Sequence, residues 1–128
     1  MLTQELQCWD NGLRLRGFLA CDAAPAAPRP GVLVVHEGLG LNVHIMEQTQ
    51  RVAGLGYVAL AADMFGEGRQ AHDLNQARGL IGALRADPTR LRARARAAVA
   101  ALWRLCRKWT QLASGPSASA SAVPWRSN

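Results

Sequence analysis

No stretch of this 128-residue chain approaches the roughly 20 apolar residues of a membrane-spanning helix, so no membrane role is expected. A secretory leader is not expected either. Met1 to Cys8 contains Gln4, Glu5 and Gln7 where a leader has a basic start and an apolar core. Cysteine is scarce: Cys8, Cys21 and Cys106 read as ordinary thiols of a reducing cytoplasm, the expected location. The histidines, His36, His44 and His72, all fall early, and no set of His, Cys and carboxylates has metal-ligand spacing. Acid is missing from position 102 onward. Residues 1 to 101 hold 11 arginines and 9 acids, a balance of +2, while the remainder holds 4 basic residues and no acid. The net charge of +6 therefore belongs largely to the C-terminal stretch, and no internal repeat is visible.

What is present is an ordered α/β pattern. Gly31 to Val35 is a short, unalternating, β-branched run, as expected of a strand buried on both faces of a parallel sheet. HEGLGLN follows as a glycine-rich turn in which Asn42 can cap a helix. Val43, Met46, Val52 and Leu55 keep roughly helical spacing, with Glu47, Gln48, Gln50 and Arg51 on the wetter side. Gly54 and Gly56 stop the helix, and Tyr57 to Ala62 reads as a second buried strand. A strand, a crossover helix and a strand make a right-handed βαβ unit. Upstream, Asp10, Asn11 and Gly12 are turn residues between the arms of an antiparallel hairpin. AAPAAPRP connects the hairpin to the first parallel strand. Downstream, Asp73 to Ala86 reads as a helix, Asp87 and Pro88 break it, and another helix runs past Ala101.

A hairpin with a DG-like turn, the run VLVVHEGLGLN, a helix ending in LGY and then VALAADMFG together resemble the N-terminal part of the dienelactone hydrolase family. The resemblance covers about residues 4 to 101, and its most specific piece is His36-Glu37 followed by Gly40-Leu41-Asn42. It implies the front portion of an α/β-hydrolase: a mostly parallel sheet flanked by helices, with an N-terminal antiparallel hairpin, truncated before the nucleophile elbow. It also implies a cysteine hydrolase of esters or lactones that uses no metal or other cofactor. The nucleophile of that family sits in a G-x-C-x-G-G elbow, with an aspartate and a histidine further on. The glutamate matching Glu37 helps the cysteine become a thiolate, and the backbone N–H matching Gly38 helps form the oxyanion hole. Taken alone, a single glutamate in a turn reads as a solvated carboxylate ahead of a site residue, and only the resemblance reverses that order. Gly38 and Leu39 depart from many relatives, which carry larger side chains there. Arg78 either approaches an anionic substrate or is solvated on a polar helix face. His36, at a strand end, is expected to pack or hydrogen-bond instead of acting as a base.

The family pattern stops near Ala101. None of the three cysteines lies in an elbow motif, and Cys106 in RLCRK lacks the glycines such a turn needs. The expected division is a partial hydrolase-like domain over 1–101 and an out-of-frame, disordered, basic Ala/Ser-rich tail over 102–128. The genetic code supports that division. With each codon from Leu102 onward reread one base earlier, Trp109-Thr110 can only give Asp, because TGG followed by ACN always yields GAC. Leu112 to Val123 then admit Arg-Ile-Gly-Ala-Ile-Gly-Phe-Cys-Phe-Gly-Gly, a strand and a nucleophile elbow. One base lost, or two gained, in the codons around Val99 to Leu102 would account for this; the alternative is a genuine, disordered Ala/Ser tail of a GC-rich gene.

The reading is thus a fragment of an ester or lactone hydrolase, expected to be inactive because nucleophile, aspartate and histidine are absent. Its partner in the intact enzyme is a small-molecule ester or lactone. The alternative is a non-enzymatic protein whose basic helix, RLRARARAAVAALWRLCRK, binds nucleic acid or anionic surfaces. No nucleic-acid-binding fold accompanies that helix, and Arg90 with Arg94, and Arg92 with Arg96, suit a solvated outer face, so nucleic acid is not expected. Non-specific self-association is expected from a sheet edge left open.

Overall fold

The computed structural model describes residues 1–22 and 29–114, with side chains through Arg107. Strand β1 (Leu2–Asp10) pairs antiparallel along its whole length with β2 (Leu13–Cys21). Asn11 and Gly12 form the two-residue turn, both at positive φ of 48° and 85°, the conformation that suits the twist of a hairpin. Next come β3 (Gly31–Val35), helix α1 (Val43–Gly54), β4 (Val58–Ala62), α2 (Leu74–Arg85) and α3 (Pro88–Ser114). The sheet order is β1-β2-β4-β3. Among the described residues only the β3–β4 pairing is parallel; β2 lies antiparallel against the other edge of β4.

The helix starts follow from local chemistry. Asn42 Oδ1 accepts from the Ile45 N–H, Asp73 Oδ1 from Gln76 and Asp87 Oδ1 from Arg90, each satisfying a donor that the first turn leaves open. Pro88 stands first in α3, where its missing N–H costs nothing. The buried stripe of α1 differs from the expected one. It is Ile45, Thr49 and Ala53, while Val43 and Leu55 are 68% and 77% exposed. This face meets a sheet surface of small residues, Ala20, Ala59 and Ala61, against which Thr49 fits because its hydroxyl donates to the Ile45 carbonyl at 2.7 Å.

Strand β4 is buried throughout and alternates its side chains between two layers. Ala59 and Ala61 face α1, whereas Val58, Leu60 and Ala62 join Leu19, Cys21, Leu84, Ala98 and Leu102 on the opposite face. Leu102 thus belongs to the main core, and α3 crosses position 101 without a break. The disorder expected from 102 does not begin there; residues 115–128, and most of the AAPAAPRP connector, lie outside the described residues. Arg94 also departs from the expected solvated face. It is buried, its Nη1 donating to the Met64 carbonyl at 2.6 Å and its Nε lying 3.5 Å from Asp10 Oδ2 without hydrogen-bond geometry.

Strand β3 is not buried on both faces as its composition suggests. Among the described residues only β4 pairs with it, so Val32 to Val34 are half-buried and Val35 is 58% exposed. Exposed Val99 and Trp103 on α3 add apolar surface, and a cleft shared by Gly31, Val99 and Trp103 joins this helix to the start of β3. An unpaired apolar edge is a template for another strand. Sedimentation velocity should show association growing with protein concentration, and Val35→Lys should reduce it, since a charge on an edge strand opposes pairing. A wild-type chain that stays monomeric across the range would remove this account of the edge.

Candidate functional site

The carboxyl ends of β3 and β4 run into two loops that hold one another. Leaving β3, the chain forms a turn in which the Gly40 N–H donates to the Glu37 carbonyl at 3.1 Å. Gly40 sits at φ 92°, and a Cβ there would lie 2.7 Å from the Arg69 carbonyl oxygen, so close approach as well as conformation calls for glycine. The loop after β4 binds this turn from the other side. The Ala71 N–H donates to the Leu39 carbonyl at 2.9 Å, and Gln70 Nε2 to the Leu41 carbonyl at 3.1 Å. That second loop is organised by Asp63, 3% exposed, whose carboxylate accepts from the N–H groups of Arg16, Gly66 and Gly68 at 3.0, 3.0 and 2.7 Å.

Glu37 and Gly38 stand side by side at the end of β3, with the Glu37 side chain exposed. They line two clefts. One, about 430 Å3, is walled by Leu39, the start of α1 including His44, and Ala77, Arg78 and Ile81 of α2. The other, about 320 Å3, lies towards β4, with His36, Met64, Phe65 and Arg85. Arg78 therefore shares a cleft wall with Glu37 while remaining exposed. A Cβ on Gly38 would fall 2.7 Å from Ile81 Cδ1, so a side chain there would make the tip of Ile81 swing aside.

His36 is buried beneath this turn. Its Nε2 accepts from the Met64 N–H at 3.0 Å, and because an amide can only donate, the ring proton resides on Nδ1. Nδ1 lies 2.8 Å from the Glu37 carbonyl oxygen and donates to it. Phe65 packs edge-on against the ring at 4.7 Å between centroids. Burial disfavours the imidazolium and lowers the His36 pKa from its ordinary value, against the opposing pull of the Glu37 carbonyl and of Asp63. His36 therefore packs and hydrogen-bonds, as its position at the strand end suggests.

The thiols stand elsewhere. Cys8 and Cys21 lie in the buried hairpin strands, and Cys106 is on α3. Burial raises the pKa of Cys8 and, with the nearby Cys21, that of Cys106, the opposite of what a thiolate nucleophile needs. Among the described residues no three His, Cys, Asp or Glu side chains gather as a metal-holding group, and no helix is long and apolar enough to cross a membrane. The structural part played by Asp63 escaped the sequence reading, which saw only a turn residue. An aspartate followed within five positions by two glycines was the available signal.

The dienelactone hydrolase family model matches residues 15–110. YghX of Escherichia coli, named as a hydrolase fragment, is 47% identical over 49 residues, covering 38% of this chain and 42% of that protein. A Saccharolobus solfataricus protein named as a carboxymethylenebutenolidase is 40% identical over 55 residues, covering 43% of this chain and 20% of its own length. Among solved structures, m3DLH aligns with a TM-score of 0.74 at 40% identity over 79% of this chain. A dienelactone hydrolase-like promiscuous phosphotriesterase from metagenomic libraries aligns at 0.73 and 38% over the same share. The chain spans 42% of each of those two structures, so it corresponds to less than half of the proteins it resembles.

Proposed function

The chain belongs to the dienelactone hydrolase family, and we propose that it is the front portion of a cysteine hydrolase of carboxylic esters or lactones, inactive without the remainder. In the intact enzyme Glu37 stands beside the nucleophilic cysteine and favours its thiolate. The Gly38 N–H supplies one donor of the oxyanion hole, which stabilises charge as it develops on the attacked carbonyl. Arg78, on the wall of the larger cleft, suits a substrate with an anionic group near the reacting carbonyl. No metal takes part in this reading.

The observation that carries it is the unpaired side of β3 next to the Glu37–Gly38 turn. Helix α1 links β3 to β4 across one face of the sheet, and α3 packs on the opposite face. A right-handed crossover from β4 through a helix on that opposite face steps back over β3 and delivers the next parallel strand to its free side. The carboxyl end of such a strand would lie beside Glu37, at the reversal of strand order where open α/β sheets bind their ligands. The shifted reading frame of residues 112–123 admits a strand and elbow suited to that position.

Mixing the chain with para-nitrophenyl acetate tests the proposal at its simplest. Hydrolysis should match buffer alone, because no thiol of the chain lies beside Glu37. Repeated turnover abolished by Glu37→Gln would show that the chain is complete as it stands and overturn the fragment reading.

A further inference from the structure

We infer that His36 is a positioning residue, which holds the Glu37–Gly38 peptide so that the Gly38 N–H points away from the protein donors and is available to a substrate oxygen. The catalytic consequence rests on the proposed oxyanion role of Gly38; the geometry does not. The Glu37 carbonyl accepts two hydrogen bonds, from His36 Nδ1–H at 2.8 Å and from the Gly40 N–H at 3.1 Å. In a trans peptide the C=O and the following N–H point in opposite directions, and the chain has no cis peptide among the described residues. Clamping the Glu37 carbonyl from two sides therefore aims the Gly38 N–H the other way. Among the described residues that N–H has no partner.

The ring is itself held. Its Nε2 takes the Met64 N–H, and the Met64 carbonyl takes the guanidinium of Arg94 on α3. One line of hydrogen bonds thus runs from α3 through the end of β4 to the turn after β3, and its Arg94–Met64 and Met64–His36 links join segments distant in sequence, while the Glu37 carbonyl itself is held by its near neighbours His36 and Gly40. The arrangement requires a neutral imidazole with its proton on Nδ1, since an imidazolium cannot accept from Met64. The charged groups around the ring are Asp63 at the end of β4, Glu37 beside it, Arg85 on α2 and Arg94 on α3. Burial, the largest influence, outweighs the Asp63 charge and lowers the ring's pKa, which favours this neutral form.

Nitrogen-15 NMR on the dilute chain reads this directly. His36 should show a protonated Nδ1 and a bare Nε2, with coupling across the bond from the Met64 amide. Two variants separate the arms. His36→Asn keeps an amide donor near the Nδ1 position but has no acceptor reaching Met64, so amide exchange should rise at Met64 by about tenfold and stay unchanged at Gly40. His36→Leu removes both arms, and exchange should rise by about the same factor at both amides. An Nε2–H tautomer, or equal behaviour of the two variants at Gly40, overturns the inference. If the leucine variant does not fold, the tautomer and the asparagine variant decide. These readouts need no activity, so an active completed enzyme with the wrong His36 tautomer sinks this inference alone, and the right tautomer in a completed enzyme without hydrolysis sinks only the functional reading.

Discussion

Asp63→Ala should lower the thermal midpoint of the dilute chain by roughly 15 °C, on the order of 3 kcal/mol of stability for a domain of this size. The carboxylate is 3% exposed and is the acceptor for three backbone N–H groups, those of Arg16 on β2 and of Gly66 and Gly68 in the following loop. Alanine leaves all three without a partner, and a buried donor left unpaired costs about 1–3 kcal/mol. Partial access of water to Arg16 and Gly68 keeps each of the three costs towards the lower end of that range, so that together they come to the stated loss. The damage should not stay local. The loop that Asp63 shapes also carries Gln70 and Ala71, which hold the Leu39 and Leu41 carbonyls of the turn beside Glu37. Asp63→Asn retains the shape but sets an NH2 group against an N–H, so its loss should be about half as large. Differential scanning calorimetry checks both. A midpoint for the alanine variant within a few degrees of wild type would show that the loop holds by its other contacts.

Putting one base back between the codons of Val99 and Leu102 should convert an inert chain into a hydrolase, provided the restored frame reads on to an aspartate and a histidine. The expected gain is large, at least about 10⁶-fold over the uncatalysed hydrolysis of an activated ester, as is usual once nucleophile, base and oxyanion donors are assembled. In that restored enzyme Glu37→Gln should reduce kcat/KM by about a hundredfold, because the cysteine loses the neighbour that draws off its proton. Iodoacetamide labelling of the new cysteine should slow in parallel. The nucleotide sequence gives an independent check. T at the third positions of the Ala118, Ser119 and Ala120 codons spells Phe-Cys-Phe in the shifted frame, whereas any other base at Ser119 removes the cysteine and with it this account of the tail.

Much of the scaffold was legible because its causes are local. Asn11-Gly12 can hardly be anything but a hairpin turn, Asn42 and Asp73 cap helices through bonds to residues three positions on, and Pro88 suits a helix start. The motif from His36 to Asn42 placed the candidate site at the end of β3 for the same reason. Its chemistry was visible only through the family resemblance, since a lone glutamate in a turn is also what a solvated loop contains.

What the sequence by itself determined is the order and type of the elements and the turn chemistry. Tertiary structure decided which surfaces those elements bury. Val43 and Leu55 looked like core but face solvent, because the sheet face opposite α1 is built of alanines and accepts Ile45, Thr49 and Ala53 instead. Arg94 looked like surface but lies inside, because the Met64 carbonyl and Asp10 are within its reach. Asp63 and His36 take their meaning from N–H groups that other segments supply, those of Arg16 and Met64, and β3 is half-buried because only one of its edges is paired among the described residues. Periodicity and capping depend on neighbours a few residues away along the chain, whereas burial and the partners of a buried polar group depend on what the fold brings alongside.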